Sequence, residues 1–340
     1  NLANEQFEII RNLPYADVGI PSGIPNGKIP HIQNLNRSNI NFIVTTTIRN
    51  VDLPFDGTIG SSTKPDLSPA DNKSVEVEVA CPTCKNFVPL TLTTTVAPKN
   101  LETASTNGAI LIKVFDSNGI PVPDAAVHIV NSKVNPNIII DDVTDVDGLL
   151  QIVDAPPGTN AYRISVTKAG YSTDRTYTPG ESGNTNPTKP DATVIVQQLT
   201  QISFSIDRLS TLSITSVTTH CTAIPNFDFK LKGSKLIGSD VYKFDKNLVT
   251  NGNGIYSTST IEWDNYTITG IDDNYDLIGL NPLNPISIGA GSTQGIMIIV
   301  DDNDPNSLLM TIKDNVTKLP VTNALIRLSK APTYSETKYT

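Results

Sequence analysis

The chain has 340 residues, of which 38% are hydrophobic and 17% are charged, and its formal net charge is −9. Its 25 lysine and arginine residues form no cluster. Nucleic acid and anionic membrane surfaces are therefore excluded as expected partners, because phosphate binding needs grouped basic residues.

Turn-forming and strand-forming residues dominate the composition. The chain contains 24 prolines and 21 glycines, with many threonine, asparagine, aspartate, isoleucine and valine residues, and no apolar run reaches the roughly 18 residues of a membrane span. β-Branched residues favour strands, and glycine, proline, asparagine and aspartate favour turns. These features predict a mainly β protein, long enough for two or three domains.

The first twelve residues are the clear helical segment. Ala3, Phe7 and Ile10 fall on one face of the expected helix, and Pro14 ends it. Together with the strands that follow, this helix predicts a small α+β head over residues 1–80. The strands are expected at 31–36, 40–48 and 74–80.

The run Leu2–Gly19, LANEQFEIIRNLPYADVG, resembles the segment just after the membrane helix of type IV pilin-like proteins. The resemblance implies that the helix continues upstream, that a sheet packs on its downstream half, and that the protein assembles into a filament. It makes Ala3, Phe7 and Ile10 the candidate assembly interface, packed partly on their own sheet and partly on neighbours. A membrane is then an expected partner only through an upstream helix that residues 1–340 do not contain.

Residues 81–107 are predicted to be a connector that includes an edge strand at 88–96. The connector begins with a Cys-Pro-Thr-Cys segment, and the chain has three cysteines in all. A structural disulfide is the favoured interpretation, either between Cys81 and Cys84 or between one of them and Cys221.

The cysteines leave two alternatives open, free thiols and a metal or redox site. A zinc site would need Cys221 and a histidine as further ligands. A redox site would need the pair to open a helix, and residues 85–89 are not a helix start. His220 and Cys221 are neighbours in sequence and point to opposite faces of a strand, so they form no nucleophile–base pair. The candidate zinc histidines are His31, His128 and His220.

Residues 108–200 are predicted to form one β-sandwich repeat, repeat 1. They contain a Gly-x-Pro-Val turn at 119–122, a Thr-Asp-x-Asp-Gly turn at 144–148 and an alternating Tyr-x-Ile-x-Val strand at 162–171. These phrases resemble the carboxypeptidase-regulatory-like, or prealbumin-like, family. The resemblance implies a Greek-key β-sandwich that is not itself catalytic.

The first and last strands of repeat 1 differ in pattern. The first, from residue 108, is largely apolar on both faces, which predicts a central position in its sheet. The last strand is expected over 192–198.

A turn-and-strand phrase that begins at Pro121 recurs at Pro320, with a degenerate copy at Ile224. A spacing of roughly 100 residues predicts tandem domains of one fold. Repeat 2 is therefore expected over 201–303, and the start of repeat 3 over 304–340. Two strands cannot bury a sandwich core, so the chain is expected to continue further or to be completed by a neighbouring molecule.

Two weaker sites are considered in repeat 2. Acidic residues at its end are candidate calcium ligands, although their spacing matches no helix-loop-helix calcium loop, and no other metal or cofactor is expected. Trp263 and Tyr266 are a candidate sugar-stacking pair, but Tyr266 takes the place of Tyr162 and is expected in the core. The candidate calcium ligands are Asp301, Asp302 and Asp304.

Two covalent modifications are also considered. Lys113 and Lys313 lie in first strands, where an isopeptide-forming lysine would be expected, but no inward acid faces them and solvated lysines are expected. Four Asn-x-Ser/Thr sequons permit surface glycosylation. They begin at Asn36, Asn72, Asn265 and Asn315.

The expected function is structural. The sequence offers no paired-carboxylate, Ser/His/Asp or phosphate-loop arrangement, so no enzymatic activity is expected. We expect an extracellular, cell-surface protein: a pilus-like filament subunit, or a fibre or stalk component for attachment, that binds copies of itself or other surface subunits. The alternatives are a soluble adhesin or carbohydrate-binding module with a surface glycan as ligand, and accessory domains of a secreted hydrolase whose catalytic part lies beyond residue 340.

Overall fold

The computed structural model describes residues 1–98, 104–303, 308 and 310–340. Strands far outnumber helices in these ranges, which confirms the predicted mainly β fold. None of the described helices has the length and apolar character that crossing a membrane requires.

The chain divides into two compact units. The first comprises Asn1–Arg208 and Ile237–Val241, and the second comprises Leu209–Leu236 and Tyr242–Thr340. The finer division into a head, a connector and three repeats stays a prediction.

The head has one helix, α1 (Leu2–Arg11), a 3-10 turn (Tyr15–Asp17) and one antiparallel sheet. In β3 the residues Val75, Val77 and Val79 are buried and alternate with glutamates on the other face, so a period of two places the apolar side under the helix. The strands, in sheet order, are β1 Ile32–Arg37, β2 Ile40–Val51, β3 Asn72–Ala80 and β4 Leu90–Val96.

The head sheet extends beyond the predicted boundary at residue 80. β4 lies in the segment predicted to be a connector and pairs with β3 from Lys73↔Val96 to Val79↔Leu90. A turn closed by a 3.2 Å hydrogen bond from Cys84 N to Cys81 O lies between the two strands. The sheet therefore includes the edge strand that the sequence placed in the connector.

The first sandwich, residues 108–205, contains two sheets. One has the order β10-β9-β6-β7, with β11 also paired to β9, and the other has the order β12-β5-β8. The buried residues between them include Ile112, Ile129, Tyr162 and Phe204. The strands are β5 Gly108–Phe115, β6 Ala126–Asn131, β7 Ile138–Val143, β8 Leu149–Ala155, β9 Gly158–Thr167, β10 Asp174–Arg175, β11 Ala192–Val194 and β12 Leu199–Ser205.

The end of the first sandwich differs from the prediction. The strand expected over 192–198 is the short β11, and a positive φ of 55° at Gln197 redirects the chain into β12. β12 crosses the predicted boundary at residue 200 and pairs with β5. The prediction missed β12 because a local pattern does not reveal which distant strand is its neighbour.

The second sandwich, residues 210–302, also has two sheets, ordered β18-β13-β22-β20 and β17-β14-β19-β21. Its core includes Phe229, Leu231, Tyr266 and Ile298. A separate hairpin is formed by β15 and β16. The strands are β13 Ser210–Thr218, β14 Asp228–Gly233, β15 Leu236–Gly238, β16 Val241–Tyr242, β17 Asp245–Val249, β18 Ile255–Ile261, β19 Asp264–Gly270, β20 Tyr275–Asn281, β21 Ile286–Ile288 and β22 Thr293–Asp302.

The last described strands form a hairpin of β23, Leu325–Lys330, and β24, Tyr334–Tyr339. Every side chain of β24 is exposed, and in β23 only Ile326 is partly covered. This agrees with the expectation that two strands of a sandwich do not bury a core.

Candidate functional site

The first and last strands of the first sandwich are hydrogen-bonded neighbours. β5 and β12 run parallel, in register from Leu199↔Ala109 to Ser205↔Phe115. The chain enters the sandwich at the start of β5 and leaves it at the end of β12, which lie at opposite ends of this ladder. A force applied to the two ends therefore acts along the strands and is shared by all the hydrogen bonds between β5 and β12.

The second sandwich has the same arrangement. β13 and β22 run parallel, in register from Thr211↔Thr293 to Thr218↔Val300. β5 is central in its sheet, as predicted, and the corresponding strand β13 is also central, between β18 and β22. The pairing of first and last strands is thus repeated in both sandwiches.

Two carboxylates hold the end of β12. Asp207 is 7% exposed and accepts hydrogen bonds from Ser117 N at 3.0 Å and Ser117 Oγ at 2.5 Å, just beyond the end of β5. Its other oxygen accepts one from Arg208 N at 2.6 Å. Burial alone would raise the pKa of Asp207, but these hydrogen bonds outweigh burial and lower it. Asp174 accepts a hydrogen bond from Ser205 N at 3.0 Å.

Hydroxyl groups hold the first strand of the second sandwich. Ser210 Oγ, at the start of β13, donates to Gly289 O at 2.7 Å and accepts from Ser292 N at 3.2 Å. Ser216 is fully buried within β13, and its Oγ donates to Ile224 O at 2.6 Å. Serine hydroxyls carry no charge in acid or at neutral pH, whereas the Asp207 carboxyl of the first sandwich loses its charge in acid.

Tyr162 and Tyr266 occupy equivalent core positions, as predicted. Tyr162 Oη donates to Pro156 O at 2.6 Å, and Tyr266 Oη donates to Glu262 O at 2.8 Å. Burial raises the pKa of Tyr162 to about 12 and also raises the pKa of Tyr266. Both rings are therefore structural.

Trp263 and Tyr266, the candidate sugar-stacking pair, do not present two free ring faces. Lys235 Nζ lies 3.1 Å from the centroid of the Trp263 ring, so the chain's own ammonium group covers one face. Glu262 holds Lys235 and Lys243 in ion pairs of 2.7 Å each. Tyr266, the second member of the expected pair, is 1% exposed.

The structure pairs Cys81 with Cys84 in a disulfide and leaves Cys221 exposed and unpaired. The alternative disulfide to Cys221 is therefore not present. Across the described ranges, no group of three potential metal ligands includes a cysteine or a histidine, so the zinc alternative has no site. His220 Nδ1 lies 3.2 Å from Thr219 Oγ1.

The helix face predicted as an assembly interface is already covered. Ala3, Phe7 and Ile10 are 2%, 8% and 1% exposed and belong to the head core. The expected contact with the chain's own sheet is present, but these side chains offer no surface to a neighbouring subunit. Ile9, on the other side of α1, is the exposed apolar residue of the helix.

Two of the three candidate calcium ligands, Asp301 and Asp302, lie in the described residues. Asp301 and Asp302 are consecutive in β22 and so point to opposite faces, and both are exposed. Asp304 lies outside the described residues.

The two candidate isopeptide lysines make non-covalent contacts. Lys113 pairs in register with Ser203 and Leu149, neither of which has a carboxamide. Lys313 Nζ donates a hydrogen bond to the backbone carbonyl of Asn284.

A group of carboxylates forms where the sequence predicted only a loop. Oxygens of Asp52, Asp66 and Asp71 lie within 4.8 Å of one another, between β2 and β3. Burial raises the pKa of Asp52, and the charges of its aspartate neighbours raise it further, against the effect of a hydrogen bond from Ile59 N. No local pattern in the sequence marks these aspartates as neighbours in space, so sequence reasoning missed the group.

No protein-family model and no curated protein matches the chain. Among solved structures, the Bacillus anthracis TIE protein is 15% identical over 92% of this chain and 64% of its own, with a TM-score of 0.25. A streptococcal ancillary pilin is 11% identical over 71% of this chain and 74% of its own, with a TM-score of 0.24. GBS52, the minor pilin of Streptococcus agalactiae, is 12% identical over 59% of this chain and 99% of its own, with a TM-score of 0.27.

This chain thus spans 64% of the length of the TIE protein.

Proposed function

We propose that the chain is an extracellular structural protein, either a pilus-like filament subunit or a component of a cell-surface fibre or stalk. The observation that carries the proposal is the parallel pairing of first and last strands in both sandwiches. The proposed role is mechanical. The domains bear tension between the cell surface and the surface to which the fibre attaches.

The geometry of the pairing explains the mechanical role. When two strands are peeled apart from one end, their hydrogen bonds break one after another. When the strands are pulled lengthwise in opposite directions, many bonds must break in one step, so the barrier to forced unfolding is higher. Forced unfolding is governed by this barrier rather than by the equilibrium free energy.

Contacts inside the first unit allow load to pass from the head to the first sandwich. Arg49 in β2 forms a two-point ion pair with Asp142 in β7, with Nε 2.6 Å from Oδ2. Asn50 Nδ2 donates to Val153 O at 3.2 Å, and Ile139 N donates to Ser22 O at 2.7 Å.

The location and partners are part of the proposal. A disulfide such as Cys81–Cys84 is typical of oxidising, extracellular compartments. The type IV pilin-like start would place a membrane helix upstream of Leu2, with assembly through copies of the chain or other surface subunits. A purified chain that stays monomeric at high concentration in electron micrographs would contradict the assembly part.

The mechanical role is tested by single-molecule pulling on the full chain with two placements of the handles. Handles at residues 107 and 206 pull β5 and β12 lengthwise, whereas handles at 107 and 156 peel β5 from β8, since Gly108 pairs with Ala155. We expect a clearly higher rupture force for the first placement. Both handle placements leave the core and the sequence away from the handles unchanged. Equal forces, or a higher force on peeling, would contradict the proposal.

A further inference from the structure

The loop between β2 and β3, residues 52–71, joins the ends of two long neighbouring strands. The loop follows Val51 and precedes Asn72. Val51 and Asn72 form the last pair of the ladder between β2 and β3. Asp71 N donates to Val51 O at 3.1 Å, so the two ends of the loop lie side by side. The loop carries Asp52, Asp56, Asp66 and Asp71.

The spacing of its carboxylates fits one cation. One oxygen from each of Asp52, Asp66 and Asp71 lies within 4.8 Å of the other two. Oxygens bound to one calcium ion at roughly 2.3–2.6 Å are at most about 5 Å apart. A single ion can therefore contact all three side chains.

Each of these three carboxylates is held by a backbone N–H. Asp52 Oδ2 accepts from Ile59 N at 2.9 Å, and Asp66 Oδ1 accepts from Ser68 N at 2.7 Å. Asp71 Oδ2 accepts from Leu53 N at 2.5 Å. The side chains are thus fixed in place before any ligand binds.

Several other carboxylate oxygens of the loop are buried without a hydrogen-bond partner. Asp66 is 9% exposed, and its Oδ2 is buried without a hydrogen-bond partner. Asp52 Oδ1 and Asp56 Oδ1 are buried in the same way. Within the described ranges, no ion pair involves Asp52, Asp56 or Asp66. Burying ionised carboxylates without a partner is costly.

We propose that Asp52, Asp66 and Asp71, supported by Asp56, bind a calcium ion. The donors are all hard carboxylate oxygens, which suit calcium and magnesium and not zinc or copper. Calcium is favoured over magnesium because magnesium keeps several waters and is rarely held by a dedicated protein cage, whereas calcium accepts many carboxylate ligands in irregular geometry.

The position of the site gives the ion a role in the first unit. The loop contacts the segment that leads into β5 and the first residue of β12. Leu67 O accepts a hydrogen bond from Ser105 N at 2.7 Å, and a Cβ added to Gly60 would lie 2.9 Å from Leu199 Cβ. An ion that orders the loop would stabilise the start of the β5–β12 pair. This mechanical consequence rests on the proposed function, whereas the calcium site itself does not.

The test is calcium titration of the full chain after removal of metal with EDTA, by calorimetry and by thermal unfolding. We expect saturable binding of one calcium ion. We also expect the first unit to melt about 5–10 °C higher at a calcium concentration about a hundred times Kd. Asp66→Asn and Asp52→Asn should each abolish the binding and the shift, and Asp124→Asn, an exposed acid of the same unit outside the group, should bind as the wild type does.

The metal-free state separates a metal ligand from a merely structural residue. In EDTA, Asp66→Asn and Asp52→Asn should melt at or above the wild-type temperature, because each removes one charge from a buried group of like charges. If one variant does not fold, the other decides the outcome.

Three results would overturn the site: no saturable calcium binding by the wild type, wild-type binding by both variants, or variants that melt lower in EDTA. Because binding is measured without load, its failure would leave the mechanical proposal standing, and equal rupture forces would leave the calcium site standing.

Discussion

The two sandwiches share a strand arrangement but hold it with different chemistry. In the first, the end of the last strand is held by the carboxylates of Asp207 and Asp174. In the second, the first strand is held by the hydroxyls of Ser210 and Ser216. An ionised acceptor makes stronger hydrogen bonds than a neutral one but loses its charge in acid. The backbone arrangement is thus common to both, and the side chains decide how each responds to conditions.

The largest expected effect comes from removing a core ring beside the first terminal pair. Phe204 in β12 is fully buried, so Phe204→Ala should lower the free energy of unfolding of the first unit by about 3–5 kcal/mol. Ile298→Ala in β22 is the counterpart in the second sandwich, with an expected cost of about 2–5 kcal/mol.

Denaturant unfolding distinguishes the two variants. The sole tryptophan, Trp263, lies in the second unit, so its fluorescence reports on that unit while circular dichroism follows both. Phe204→Ala should leave the fluorescence midpoint unchanged, and Ile298→Ala should lower it. If both variants moved the two signals together, the sandwiches would not respond independently.

A smaller effect is expected from removing the contacts that hold the strands. Asp207→Ala leaves Ser117 N without its acceptor, and Ser216→Ala leaves buried Ile224 O without its donor. Each should lower the free energy of unfolding of its own unit by about 1–3 kcal/mol near neutral pH. Denaturant titration of the same two signals measures both, and a loss near zero would show that water replaces the contact.

The smallest effect is the acid response of the first unit. Because folding lowers the pKa of Asp207, its stabilising contribution is complete above the ordinary aspartate pKa of about 3.9, and it is lost as the pH falls through the lower folded value. Asp207→Asn should make stability in this range depend less on pH, while Ser216→Ala should keep the wild-type slope. If the free energy of unfolding changed equally with pH in the wild type and in Asp207→Asn, the charge of Asp207 would not be the cause of the acid response.

Local patterns were sufficient for the individual elements. The predicted helix over residues 1–12 forms as Leu2–Arg11, and the alternation that begins at Tyr162 lies within β9. The apolar first strand of repeat 1 is central in its sheet, as expected. These features follow from helix and strand periodicity, which depends only on near neighbours in the chain.

Contacts between distant residues were not available from such patterns. Periodicity does not show that β12 pairs with a strand some ninety residues earlier, from Leu199↔Ala109 onward. Nor does it show that Ala3, Phe7 and Ile10 of α1 are buried in the core of the head. The loop over 52–71 has no periodicity at all, so its aspartates gave no sign of meeting in space.

The sequence by itself therefore determined the mainly β class, the helix and strands of the head and the core role of the two tyrosines, because each depends on which face of a short segment is apolar. Only the tertiary structure decided the parallel pairing of first and last strands, the choice of Cys84 over Cys221 as the partner of Cys81, and the group formed by Asp52, Asp66 and Asp71. Those depend on how segments far apart in the chain pack against one another, which is settled by burial of the whole core and not by any one segment.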